Sequence, residues 1–273
     1  MARLVFFVLF LALLGYFFGE EDGGDPAPRR PAPRADVETV LPAASAGDPI
    51  YLIKPGEPCA RYCRGSAFAI DRHGHWLTAR HVVQGCRRVD VVTEDGRRIP
   101  VERIKSNLGA DVSLLVTRSA VPAVPLNFGQ LRRRQDGFHF GFPKGKPGAV
   151  HSQLLGRANA RRGGPNGPGE PIIAWAEVSR SPAREGSLGG LSGGVVLDSS
   201  GAAVSLTTAE SPRRGRVLSA APSSLRELLR WARLRGLADA NGEGGSTVTP
   251  GNYSQVGSRL RRRRSVALVL CQA

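Results

Sequence analysis

Gly189-Gly190-Leu191-Ser192-Gly193-Gly194 is the stretch on which the reading of this chain turns. A serine that attacks a carbonyl must project its hydroxyl from a tight turn. Backbone N–H groups must also point at the oxyanion that forms. Glycines on both sides permit the backbone angles of such a turn and the close approach of a substrate. The same residues would serve an ordinary Gly-rich turn, in a chain that holds 34 glycines. The neighbours of Ser192 therefore need a base and an acid elsewhere before they mean chemistry.

Residues 190–194 also fit the G-x-S-x-G nucleophile elbow, whose triad runs Ser, acid, His. Histidines stand at 73, 75, 81, 139 and 151, and none follows Ser192. The elbow lacks its base, and the order His, Asp, Ser remains. His81 lies in Trp76-Leu-Thr-Ala-Arg-His-Val-Val83, where an apolar approach suggests a strand running into a short turn. His73 and His75 sit in a polar turn. His139 alternates with Phe138, Phe140 and Phe142 and is expected on the opposite side of its strand, and His151 starts another strand. The acid must accept from the base and be held by apolar neighbours. Asp111 meets this in Gly109-Ala-Asp-Val-Ser-Leu-Leu-Val116, whereas Asp95 before Gly96 is better spent on a turn.

Short apolar or alternating runs predict strands at 66–70, 89–93, 99–104, 112–116, 137–142, 150–155, 172–178, 194–197, 202–207 and 216–220. Turn formers separate several of them, as at Asp71-Arg-His-Gly74 and Ser199-Ser-Gly201. Many short strands with frequent turns predict an all-β sandwich or barrel. One helix is expected from Ser224 to Arg235. Ser224 and Glu227 would form a capping box, Leu225, Leu228, Leu229 and Ala232 would lie on one side, and Gly236 would end it. Residues 157–171 read as a surface loop. Residues 239–273 read as a flexible basic tail containing Arg261 to Arg264.

The chain has 273 residues and a net charge of +15. Nearly all the basic residues are Arg, in short runs at 132–134, 161–162 and 261–264, without the interleaved aromatic side chains that single-strand nucleic acid requires. Nucleic acid is not the expected partner. Arg3 precedes the apolar run Leu4 to Phe18, and Glu20, Glu21 and Asp22 follow it. Charge of this sense favours an N-inside orientation, which sends the remainder across the membrane. No A-x-A-like site follows the run, so residues 1–19 read as an anchor in preference to a cleaved signal peptide. Residues 20–47, rich in Pro and Ala, read as a linker. Residues 48–238 form the expected folded domain. Cys59, Cys63, Cys86 and Cys271 suit an exported compartment, and sequence alone leaves their three pairings open. Cys59-x-x-x-Cys63 lacks a second ligand pair, so no metal site is expected.

Leu77-Thr-Ala-Arg-His81 resembles the histidine motif of chymotrypsin/trypsin-like serine proteases. Ala110-Asp-Val-Ser-Leu-Leu115 and Gly190-Leu-Ser-Gly-Gly194 are similar to their aspartate and serine motifs. Gly141-Phe-Pro-Lys-Gly145 and Ala203 to Ala209 make the resemblance closest to bacterial, high-temperature-requirement-type members. The resemblance covers about residues 60–230. It implies two six-stranded antiparallel β-barrels, to which the C-terminal helix and the N-terminal anchor read above are additions. It implies a His81, Asp111, Ser192 triad, an oxyanion hole from the backbone of Gly190 and Ser192, and no cofactor. It implies a peptide substrate pairing near Leu206, Thr207 and Thr208. Gly186, at the base of the specificity pocket, brings no carboxylate, so cleavage after a small or apolar residue is expected in place of Arg or Lys. Cys63 and Cys86 bracket the histidine motif much as a disulfide does in the family, with Cys59 competing. Leu191 replaces the aspartate that pairs with a freed N-terminus in trypsin-like zymogens. The reading places the domain in the periplasm, on the inner membrane. Its rivals are a catalytically silent peptide binder on the same fold and a basic envelope- or nucleic-acid-binding protein.

Overall fold

The computed structural model describes residues 39–53, 62–164, 166–183, 186–239 and 244–273. The expected anchor, most of the linker and Cys59 lie outside the described residues. No described helix is long and apolar enough to cross a membrane.

The first half of the chain carries β1 (Ile50–Ile53), β2 (Tyr62–Ala69), β3 (His75–Thr78), β4 (Arg88–Val92), β5 (Arg98–Pro100), β6 (Arg103–Ser106) and β7 (Ser113–Val116). The second carries β8 (Asp136–Gly141), β9 (Gly148–Arg162), β10 (Gly169–Ser181), β11 (Val195–Leu197), β12 (Ala203–Ser211), β13 (Arg216–Ala220) and β14 (Val266–Gln272). Four helices accompany them among the described residues: α1 (Arg80–Val83), α2 (Pro222–Trp231), α3 (Arg235–Ala238) and α4 (Tyr253–Arg262).

The strands form two sheets, as expected of an all-β chain with chymotrypsin-like barrels. In the order β9-β10-β13-β12-β11-β8 one sheet closes, because β8 pairs back onto β9. β1 lies parallel to the far end of β9, with Ile50 opposite Asn159 and Ile53 opposite Arg162. The other sheet runs β5-β4-β14-β2-β3-β7-β6 and stays open between β5 and β6. Those two edges are successive in the chain. Val101 N–H donates to Val89 on one side and Glu102 N–H to Val116 on the other, so one bent segment spans the opening.

Four expectations need correction. The tail is not flexible where it is described, because β14 lies between β2 and β4 and is hydrogen-bonded to both. Val266, Ala267 and Val269 are buried there. Residues 157–171 are not a loop. Most of them extend the β9–β10 hairpin, which pairs from Gly169↔Arg161 to Ser181↔Ala149. The linker does not run free to residue 47, since Leu41 is buried beside Leu131 and Leu154. The helix starts at Pro222, with Ala221 as its cap and no side-chain cap bond, so the Ser224–Glu227 capping box does not form. Proline at the first helical position already supplies the fixed φ and needs no N–H partner.

The expected bracket of Cys63 with Cys86 is also replaced. Cys86 is bonded to Cys271 of β14, and Cys63 is itself disulfide-bonded. Cys271 sits opposite Val89 and Cys63 in the sheet, which brings it to the end of the His81 turn.

Candidate active site

The pairing of β3 with β7 sets the first half of the site. Thr78 lies opposite Ser113. His81 follows Thr78 by three residues and Asp111 precedes Ser113 by two, so this register brings both side chains to one end of the pair. His81 N–H donates to Asp111 Oδ1 at 2.8 Å, and His81 Nδ1 stands 2.6 Å from Oδ2. The carboxylate is 2 % exposed and the imidazole 38 %. Burial on its own would raise the Asp111 pKa. Attraction and hydrogen bonding to His81, with the Arg162 charge, outweigh it and hold the carboxyl below its ordinary range. An ionised carboxylate at Nδ1 fixes the proton there and leaves Nε2 as the basic nitrogen.

Ser192 belongs to a turn clamped from both sheets. Ser66 N–H donates to the Ser192 carbonyl at 2.8 Å, and Ser66 Oγ–H donates to the Gly190 carbonyl at 2.7 Å. Thr78 Oγ–H donates to the Ser66 carbonyl at 2.7 Å. Gly193 N–H donates to the Thr207 carbonyl at 2.7 Å, and Thr207 N–H to the Gly194 carbonyl at 2.8 Å. Gly193 has φ +84°, and a Cβ there would collide with the Ser66 carbonyl and Thr78 Oγ1. Its glycine lets the turn lie against Thr78 and Ala79, which lead directly into His81. Ser192 is half-buried, and its Oγ has no hydrogen-bond partner among the described residues. No hydrogen bond joins the Ser192 hydroxyl to the His81 imidazole, although the turn lies against Thr78 and Ala79. Catalytic hydrogen bonds are often long before substrate binds.

Two backbone donors beside Ser192 are uncommitted. Gly190 N–H and Ser192 N–H reach no acceptor among the described residues. The Gly189 carbonyl accepts from Lys144 N–H at 2.5 Å and the Leu191 carbonyl from Gly194 N–H at 2.8 Å. A trans peptide directs its N–H opposite to its C=O, so both free donors point away from those partners. Gly190 holds φ +96°, a conformation that L side chains rarely adopt.

Leu206, Thr207 and Thr208 are buried on β12. β11 pairs with β12 only from Ala203 to Leu206, and β13 covers the other edge as far as Ser211. Beyond Thr207 the β11 side of β12 has no partner strand among the described residues. Gly186 has φ +94°, and its carbonyl accepts from Arg180 Nη1–H at 2.8 Å. A Cβ at Gly186 would lie 3.1 Å from Lys144 Nζ, so the neighbouring charge there is positive.

His139 is fully buried inside the closed barrel, with Nδ1 2.9 Å from Thr207 Oγ1 and Nε2 2.8 Å from Ser152 Oγ. Both faces of β8 are covered, so alternation with Phe138 and Phe140 did not distinguish inside from outside. Burial pushes the His139 pKa down to about 3, with a contribution from His151. Sequence reasoning missed Ser66, Arg162 and Glu170 altogether. Ser66 carried a faint signal, a hydroxyl heading an apolar strand. Arg162 and Glu170 carried none, because they were taken for a solvated loop.

Residues 65–206 match the family model described as a trypsin-like peptidase domain. The chain belongs to the trypsin-like peptidase family. It is thereby a serine peptidase, and no curated protein sequence matches it. Among solved structures, the inactive form of the protease Rv3671c is 17 % identical with a TM-score of 0.51, over 63 % of this chain and 86 % of that one. A second inactive form of Rv3671c, from M. tuberculosis H37Rv, is 17 % identical with a TM-score of 0.50, over 62 % and 82 %. A variant of the HtrA-type protease AlgW with a decapeptide is 20 % identical with a TM-score of 0.51, over 63 % of this peptidase and 51 % of AlgW. These likenesses concern the fold.

Proposed function

We propose that this peptidase is an endopeptidase whose triad is His81, Asp111 and Ser192. The observation that carries the reading is the doubly bonded His81–Asp111 pair, with a clamped Ser192 turn that lies against the residues leading into His81 and has two free N–H groups. Ser192 attacks the peptide carbonyl and His81 Nε2 takes its proton. The tetrahedral oxyanion is received by the N–H groups of Gly190 and Ser192. His81 then returns the proton to the leaving amine, and water hydrolyses the acyl-enzyme. Asp111 holds the tautomer and stabilises the imidazolium.

The open side of β12 beyond Thr207 suits an extended substrate added as a further strand. A small or apolar residue before the scissile bond is supported by Gly186, and the Lys144 ammonium nearby opposes a basic one. Anchoring through residues 1–19 and a periplasmic domain are part of the same reading. They are supported by the charge asymmetry about Leu4 to Phe18 and by the Cys86–Cys271 disulfide, which belongs in an oxidising compartment.

The missing Ser192–His81 bond favours a second reading, a silent peptide binder. Cleavage of a mixed peptide library decides between them. The proposal expects cuts that vanish together in Ser192→Ala and His81→Ala, whereas a silent binder cuts nothing in any form.

A further inference from the structure

Asp111 has a second partner that the triad does not require. Arg162 Nη2–H donates to Asp111 Oδ2 at 2.6 Å, the same oxygen that His81 Nδ1 meets at 2.6 Å. Arg162 ends β9 in the closed barrel, while Asp111 leads into β7 of the open sheet, so this contact links the two. Arg162 Nε–H donates to Glu170 Oε1 at 3.0 Å, on the paired strand β10. Asp111 and Glu170 are both buried, and the Arg162 side chain is a quarter exposed. A guanidinium fixed at two points to buried carboxylates is a built feature.

We infer that Arg162 is a positioning residue that sets the basicity of His81 through Asp111, with Glu170 holding it in place. The inference rests on the peptidase reading only in treating His81 as the base. Arg162 and His81 touch one oxygen, so the two nitrogens stand about 5 Å apart at most, near enough for a fixed cation to oppose an imidazolium strongly. Asp111 stabilises His81 when it is protonated, and Arg162 cancels part of that stabilisation.

The other charged groups around the cluster are few. Arg80 on α1 turns its Nη1 to the carbonyls of Asn107 and Leu108, at 3.3 and 3.0 Å, and its charge acts on Glu170. Glu227 on α2 is reached through Asn107 Nδ2 at 3.1 Å. Burial raises the Glu170 pKa, while Arg162 opposes the rise. None of these groups takes the place of Arg162 on Oδ2.

The test follows the His81 imidazole by NMR through a pH titration of the full chain, alongside the acid limb of Ser192 labelling by a fluorophosphonate. In Arg162→Met the His81 titration should move upward by about one pH unit, the scale of one neighbouring charge. In Glu170→Gln the Arg162 charge is no longer offset, and the titration should move downward by about half a unit. A purely structural brace would lower labelling with no change in midpoint. Coincident His81 titrations in wild type, Arg162→Met and Glu170→Gln would overturn the inference. If Arg162→Met does not fold, the downward shift in Glu170→Gln decides alone, and its absence overturns the inference equally. Shifted titrations with no labelling of wild type would uphold the role of Arg162 and reject the proposed catalysis.

Discussion

The two sheets are built from sequence in different ways. The closed barrel comes from β8 to β13, a continuous stretch in which neighbours in the chain are mostly neighbours in space. The open sheet comes from β2 to β7 and is completed by β14, whose Cys271 is 185 residues from Cys86. The first kind of sheet announces itself by local turns and strand periodicity. The second depends on a distant segment that has no meaning until it is placed. This asymmetry has an effect on the site, since His81 and Asp111 sit in the sheet that needs the distant strand, and Ser192 in the one that does not.

The largest break in that comparison is to remove β14. Deletion of residues 264–273 leaves β2 and β4 without their shared partner and uncovers the core behind Val266, Ala267 and Val269. The cost should exceed about 5 kcal/mol, as several buried side chains and two strand ladders are lost together. The His81–Asp111 sheet should melt separately or fail to form, which loss of near-ultraviolet circular dichroism would register. Retention of a single wild-type melting transition would refute the structural role of the tail.

A gentler break leaves the strand and removes its tether. Cys271→Ser should cost about 4 kcal/mol, because the disulfide closes a long loop in the unfolded chain. Chemical denaturation of the variant and wild type under oxidising conditions measures it, and unchanged midpoints would refute the tether.

Acid should distinguish the sheets further. His139 in the closed barrel stays unprotonated down to about pH 3, while the unfolded chain takes up its proton near 6.5. Its folded pKa is depressed, so the native state loses stability as pH falls from about 6.5 toward 3, by roughly 3 kcal/mol at pH 4. Asp111 in the open sheet has a lowered carboxyl pKa, so its contribution is present above about pH 4 and is lost only below that. Glu170 is raised, and its protonation offsets part of the His139 loss on the way down. Urea midpoints between pH 7 and 4 should fall steeply in wild type and less steeply in His139→Gln. Parallel curves would contradict the assignment.

The smallest effect lies outside both sheets. Trp231 on α2 is 61 % exposed, with the Lys105 ammonium 5.6 Å from its ring centroid. Trp231→Ala should change stability by less than about 1 kcal/mol, measured as a small shift in melting temperature.

How far the sequence could be read follows from the same asymmetry. Nine of the ten expected strands exist as single strands, because each is a short apolar run between turn formers, and the tenth, 99–104, is split into β5 and β6. Their ends were underestimated where polar residues continue a ladder, as in β9 to Arg162 and β10 from Gly169. β14 was invisible because Val266 to Cys271 has no flanking turn formers and its partners lie far away in the chain. At the site, apolar approach and strand position singled out His81 and Asp111, which the structure pairs, and glycine context singled out Ser192. Arg162 and Glu170 were not singled out, since a charge pair in an apparent loop looks solvated until the hairpin brings it to Asp111. The Cys63–Cys86 bracket came from the family resemblance, which covers about residues 60–230 and does not reach Cys271.

Intact-mass analysis after treatment with a fluorophosphonate tests the central claim most directly. The account predicts one adduct per chain, located on Ser192 by peptide mapping, and none in His81→Ala. Wild-type protein that gains no adduct, or an adduct that persists in Ser192→Ala, would contradict it.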